Sequence, residues 1–254
     1  TIDFVEIGTT GNAVDFGDLS QARAAIAGAS SSTRAVAMGG YSPTVRDTID
    51  FITTASQGNA TDYGDLTSAT YTQGGVSNST RALSMGGLAP GITNTIEKLT
   101  ISIGGTATDF GDLVLPTSQL ASCSDSHGGL NDGYQGTRPI PFQENGGDIG
   151  MFAGGSPQLQ LIQTINISST GNAQQFGDLT TGRRQFAGGF SNKTRSLTAN
   201  GYDGGSPGYP AIIEYVEFAT KGNSANFGNT ISASEAGSAL ANNTRGICNN
   251  INTW

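Results

Sequence analysis

Few side chains in this sequence can do chemistry on their own, and most of those few sit together. His127 is the only histidine, so any site that needs two imidazoles is excluded. Cys123 and Cys248 are the only cysteines. Two thiols do not make a disulfide framework, and both read as small strand residues. The reactive types gather in one segment, SDSHGGLNDGYQGTRPIPFQENGGD, which starts at Ser124 and ends at Asp148. Asp125, His127, Asn131, Asp132, Tyr134, Arg138, Phe142, Glu144 and Asp148 lie in it. Asn131-Asp132-Gly133-Tyr134 supplies turn geometry and hydrogen-bonding groups. Arg138 and Phe142 are of the types that anchor protein contacts. The spacing of the acids does not match an EF-hand calcium loop. Two readings stay open. The segment projects as a loop toward a partner, a glycan or a calcium ion, or it fills space and packs on a neighbouring subunit.

A second set of candidates recurs along the chain. Asp15-Phe16-Gly17, Asp62-Tyr63-Gly64 and Asp109-Phe110-Gly111 have the wording of the protein-kinase metal motif. The trio recurs once per repeat, without a catalytic-loop His-Arg-Asp, so a turn carrying a buried aromatic is the better reading. Asp18, Asp65, Asp112 and Asp178 recur beside Arg34, Arg81 and Arg195. A ring of arginines for an anion is one reading. An Asp–Arg or Arg–carbonyl brace in each repeat explains the recurrence better. Acids placed this regularly leave no unique acid/base pair for catalysis.

The elements that position these residues repeat. The first copy reads IDFVEIGTTGNAVDFGDLSQARAAIAGASSSTRAVAMGG and the second IDFITTASQGNATDYGDLTSATYTQGGVSNSTRALSMGG. Later copies open at Ile96, Ile162 and Ile213. The repeated turn glycine falls at Gly17, Gly64, Gly111, Gly177 and Gly228, spaced by 47, 47, 66 and 51 residues. The long spacing holds the inserted segment, at about 125–148. A Thr-Arg pair follows each turn, at Arg34, Arg81, Arg195 and Arg245, and is missing only from the third copy.

Each copy reads as four short strands. In the second these are Ile49–Thr53, Ala60–Tyr63, Ala69–Val76 and Arg81–Met85. Glycine (38 residues) and Ser, Thr and Asn dominate, and charged residues are only 13%. That composition argues against helical bundles and for many turns. The net charge of −8 excludes an electrostatic nucleic-acid binder. No apolar run is long enough to insert in a membrane as a helix.

Four strands in about 47 residues is the period of a propeller blade. The Gly-Gly pairs at Gly39-Gly40, Gly86-Gly87 and Gly154-Gly155 resemble the kelch repeat. Phe16, Tyr63, Phe110, Phe176 and Phe227 then stand where that family carries tryptophan, and Asn200-Gly201 and Asn249-Asn250 depart from its glycine pair. The wording GNAxDFGDL with SNxTR is more similar to kelch-like repeat proteins of tailed bacteriophages, especially marine ones. The resemblance implies an all-β, five-bladed kelch-like β-propeller of four-stranded blades, spanning 1–254 as a single domain. The phase of the strands places one blade between the N- and C-termini, which share it.

The function that the resemblance implies is a non-enzymatic virion structural protein: a capsid decoration, tail or fibre component. Its expected partners are other virion proteins and a host-surface glycan or protein used in host attachment, with no nucleic acid, no membrane insertion and no cofactor or metal. Its expected location is the virion or the extracellular space. A secreted lectin-like propeller that binds sugar is the alternative.

Overall fold

Strand-forming runs in this chain are only three to nine residues long before a glycine or an Asn/Asp turn breaks them. The computed structural model describes residues 1–6, 9–126, 147–184, 188–205, 208–234, 238–242 and 244–248. Among them every regular element is a β-strand, and the strands make six antiparallel sheets, mostly of four strands. The first sheet pairs β1 (Ile2–Phe4) with β2 (Val14–Gly17). The second is a meander of β3 (Ala27–Ser30), β4 (Arg34–Tyr41), β5 (Val45–Thr53) and β6 (Thr61–Asp65). The third holds β7 (Gly74–Ser77), β8 (Arg81–Met85), β9 (Thr95–Thr100) and β10 (Thr108–Asp112). The fourth holds β11 (Ala121–Ser124), β12 (Ile149–Ala153), β13 (Leu161–Asn166) and β14 (Gln174–Asp178). The fifth holds β15 (Gly188–Ser191), β16 (Arg195–Ala199), β17 (Ile213–Glu217) and β18 (Ala225–Gly228). In the sixth, β19 (Ala239–Ala241) pairs with β20 (Gly246–Cys248).

The sheets stack face to face, and each apolar cluster lies between two successive sheets. Val36, Met38 and Ile49 of the second sheet meet Ala82 and Leu99 of the third. Leu83, Met85 and Ile96 of the third meet Phe152 and Ile165 of the fourth. Met151, Ile162 and Phe176 of the fourth meet Val216 of the fifth. Alternation along β8 and β9 therefore carries apolar side chains on both faces, as a sheet covered on both sides requires.

The repeated aromatic has a definite structural cause. Ile49 pairs with Gly64 but Asp50 pairs with Asp62, so Tyr63 is the extra residue of a β-bulge. Phe16, Phe110, Phe176 and Phe227 occupy the same bulge between the last two strands of their sheets. A bulge turns its extra side chain out of the pleat. Phe16, Phe110 and Phe176 are buried. Tyr63 packs on Phe51 and is partly buried. Phe227 alone is 53% exposed.

The strand expected over Ala69–Val76 begins only at Gly74. Thr72 is left-handed (φ 57°), as are Ala25 and Gln119 at the same place in their copies. The Thr72 amide leaves its own sheet and bonds the Ala25 carbonyl (2.9 Å), and the Gln119 amide bonds that of Thr72 (2.9 Å). These inter-sheet bonds hold a backbone conformation that costs about 1–2 kcal/mol per residue in isolation. The Asn200-Gly201 departure from the glycine pair keeps the same backbone. Asn200 (φ 54°) matches Gly39, Gly86 and Gly154 (φ 60–63°), a left-handed region that asparagine tolerates. The two terminal two-stranded sheets are separate: no ladder joins β20 to β1 among the described residues.

Candidate functional site

The strands β3, β7, β11, β15 and β19 are the first of their sheets, and together they line a cavity of about 450 Å3. Its wall is small because the sequence there is Gly, Ala and Ser, with Val76, Cys123, Phe190 and Leu240 at one recurring position. A belt of serines ties neighbouring strands across 47 residues, or 67 where the insertion intervenes. Ser77 Oγ donates to the Ser30 carbonyl (2.7 Å) and Ser122 Oγ to that of Gly75 (3.1 Å). Ser124 Oγ donates to the Ser77 carbonyl (2.9 Å) and Ser191 Oγ to that of Ser124. The sixth sheet has Ala241 at this position and cannot continue the belt.

These hydroxyls are spent on carbonyls, so none has a base beside it to make it a nucleophile. The Cys123 thiol sits 2.9 Å from Ser196 Oγ, and burial pushes it up to about 11, which keeps it protonated at neutral pH. No carboxylate, lysine or arginine lines the cavity among the described residues. Cys123 and Cys248 are both free thiols. The cavity can exclude water and accept small apolar or hydroxylic groups.

The insertion lies between β11 and β12 and follows Ser124, which lines this cavity. His127, Asn131, Asp132, Tyr134, Arg138 and Phe142 lie outside the described residues, as does Glu144. The base of the insertion is described, and it is firmly held. The Asp125 carboxylate accepts the Ile149 amide (2.9 Å). Asp148 accepts Asn78 Nδ2 (2.8 Å) and Ser168 Oγ (2.7 Å), and Ser126 Oγ donates to the Ser77 carbonyl. Burial, with a smaller push from Asp148, raises the Asp125 carboxyl from 3.8 to about 6. In the sister hairpins Asn78, Asn192 and Asn242 cap the turn by accepting the amides of Thr80, Thr194 and Thr244 and of the following arginines. The SNxTR wording is therefore turn chemistry at the same rim of the cavity.

Two of the recurring arginines, Arg34 and Arg81, brace the neighbouring sheet through carbonyls. Arg34 Nη1 donates to Ile101 O (3.1 Å) and Ser102 O (2.8 Å) and lies over the Phe51 and Tyr63 rings. Arg81 does the same with Ile167 and Ser168. Arg195 lies over Tyr215 and pairs with Glu217 (3.3 Å). Arg245 donates its amide to Asn242 (2.8 Å) and lines a cavity between the fifth and sixth sheets.

Asp18, Asp65, Asp112 and Asp178 pair with none of these guanidiniums. Their backbone instead forms a latch with the GNA turn of the next sheet. Gly58 N bonds Phe16 O (2.8 Å), Ala60 N bonds Asp18 O (2.7 Å), and the Asp18 amide bonds Asn59 Oδ1 (3.0 Å). The latch recurs at Gly105, Gly171 and Asn223. It needs glycine: a Cβ on Gly64 (φ +136°) would lie 2.2 Å from the Gly105 carbonyl oxygen.

Sequence reasoning missed a further set on the third strand of each full sheet. Asp50, Glu97, Gln163 and Glu214 are buried and accept the backbone amides of Ser20, Thr67, Val114 and Thr180. Arg23 pairs with Asp50 (3.0 Å) and Arg183 with Glu214, all four side chains fully buried. Burial lowers the Arg183 guanidinium to about 10, still charged at neutral pH. The signal was the Ile-Asp or Ile-Glu pair that opens every copy but the fourth, which has Ile162-Gln163.

At the opposite end of the sheets Tyr41 packs against Tyr71 (5.6 Å, rings tilted by 44°) and Tyr202 against Tyr209 (5.4 Å, tilted by 51°), with Arg184 over Tyr202. Among the described residues no cluster of acids, cysteines and histidine can hold a metal ion, and no helix is long and apolar enough to cross a membrane. No family model and no curated protein matches the chain.

Proposed function

We propose that the six sheets are the blades of one five-bladed β-propeller, and that the protein is a non-enzymatic binding module of a virion. Sheets two to five are four complete blades, and β19–β20 with β1–β2 make the fifth. The phase of the strands supports this: β19 and β20 match the first two strands of a full sheet, and β1 and β2 match the last two. Four features supply the closing contacts. Arg245 comes opposite Glu6, as Arg195 is opposite Glu217. Gly11 comes under Gly228, as Gly58 lies under Gly17. The Ile231 amide reaches Asp3, as that of Thr180 reaches Glu214. Val5, Phe227, Ile231 and Ile247, exposed by 48–106%, are covered. Cavities of about 350 and 290 Å3 beside the two short sheets are filled in the same movement.

The observation that carries the binding role is the break in symmetry. Nearly every repeated polar residue is spent on holding one sheet to the next, which makes the repeats scaffold. Only the insertion differs, and its base is anchored beside Ser77 and Ser124, which line the cavity. A virion as the setting rests on the likeness of the repeat wording to tailed-phage proteins. Deleting Gly129–Gly146 tests the role. The ring should keep its melting temperature while binding to purified virions or host cells is lost. Unchanged binding moves the site to the blade loops. Mass spectrometry of purified virions tests the setting.

The tyrosine pairs favour a second reading, a sugar-binding propeller, since partly exposed aromatic rings suit sugar faces, and Tyr41 is 47% exposed. Glycan binding lost in Tyr41→Ala and kept in the deletion variant would select it.

A further inference from the structure

The buried acids of the third strands are matched to their surroundings in three sheets and mismatched in one. In each sheet the residue whose amide binds the acid is followed, three positions on, by a residue that faces it. In the second and fifth sheets this is Arg23 beside Asp50 and Arg183 beside Glu214. In the fourth it is Thr117, and the acid is replaced by neutral Gln163. In the third sheet it is Thr70, yet the acid remains as Glu97, only 6% exposed. Glu97 Oε1 accepts the amide of Thr67 (2.8 Å) and its hydroxyl. Oε2 has no hydrogen bond, and no cation pairs with this carboxylate among the described residues. A buried acid without a counter-charge is costly.

The space beside it is defined. Thr70 is too short to fill the arginine's place and leaves a cavity of about 80 Å3, lined by Ser84, Gly86, Thr93, Thr95 and Glu97. The acceptors that receive the arginines elsewhere are repeated here. Arg23 donates to the Ala37 carbonyl (3.2 Å), and Ser84 holds the register of Ala37, opposite the acid in both sheets. Arg183 donates to the Asn200 carbonyl (2.7 Å), and Gly86 holds the place of Asn200. A carboxylate and two carbonyls thus converge where two sister sheets hold a guanidinium.

We propose that this cavity is a binding site for a guanidinium group, taken from a small guanidino compound or from an arginine of a partner. Its planar fork can donate to a carboxylate and to carbonyls together, as Arg23 and Arg183 do in the sister sheets.

Melting of the full chain, with added methylguanidinium chloride from about 1 to 20 mM, tests this through ligand-linked stabilisation. The melting temperature should rise and saturate relative to equal sodium or potassium chloride. Thr70→Arg should melt higher than wild type without ligand and lose the response. Glu97→Gln should also lose the response. A short peptide with one arginine distinguishes the sources: a response to it alone assigns the site to a partner's side chain. An equal rise in simple salt, an equal response in both variants, or no rise with either guanidinium probe overturns the proposal.

Discussion

At the scale of single residues, the repeats are worded by contact geometry. The glycine after the bulged aromatic is obligatory because a carbonyl of the next sheet lies where its Cβ would be. Gly64→Ala should lower stability by roughly 2–5 kcal/mol, from a strained φ and a backbone clash together. Gly91→Ala, whose Cβ meets nothing within 4 Å, should change it by less than about 0.5 kcal/mol. Denaturant titration of the two variants checks the contrast. Asp125 makes a pH prediction. Folded, its carboxyl keeps a proton up to about pH 6, whereas unfolded it loses it near 3.8. The folded state binds the extra proton between these values, so this residue's contribution to stability falls as pH rises from about 4 to 6. Asp125→Asn should flatten the melting temperature across that window. A slope unchanged by the substitution removes Asp125 as its source.

At the scale of the strand and its neighbours, much was readable and some was not. The period, the meander of short strands and the aromatic at Phe16, Tyr63, Phe110 and Phe176 follow from spacing, because each copy must meet the same face of the next. The bulge that aims this aromatic leaves no mark in composition. The aspartates of the repeated turn looked like partners for Arg34, Arg81 and Arg195. They serve instead through their backbone, which any side chain could supply, while Arg34 and Arg81 reach carbonyls, which carry no sequence signal, and Arg195 pairs with Glu217. The strand at Ala69–Val76 was overextended because Thr72 adopts a left-handed backbone that its residue type does not announce. The buried ion pairs were legible only as a recurring Ile-Asp or Ile-Glu. Their energetics can be separated by mutation. Arg183→Met leaves Glu214 buried and unpaired and should cost about 3–5 kcal/mol. Adding Glu214→Leu should restore part of that loss. A double variant less stable than the single would show that Glu214 is held mainly by Thr180 and Ser224 rather than by Arg183.

At the scale of the whole molecule, the account depends on closure. Four latches join successive sheets, and the fifth, between Gly228 and Gly11, is what would turn a stack with exposed ends into a ring. Ser77 and Asn78 of the neighbouring sheet hold the base of the insertion, so closure would give it a rigid rim to stand on. In a closed ring the register of the four-stranded sheets would place Glu6 opposite Arg245, as Arg195 is opposite Glu217, at a position without mutual backbone hydrogen bonds, where opposed side chains come closest. The most direct test is therefore a cross-link between Glu6→Cys and Arg245→Cys, with Cys123 and Cys248 changed to serine. On mild oxidation, a ring gives a monomer with an intramolecular disulfide, read by non-reducing mass spectrometry, and a raised melting temperature. Thiols that stay free, or that join only between molecules, would contradict a closed five-bladed ring.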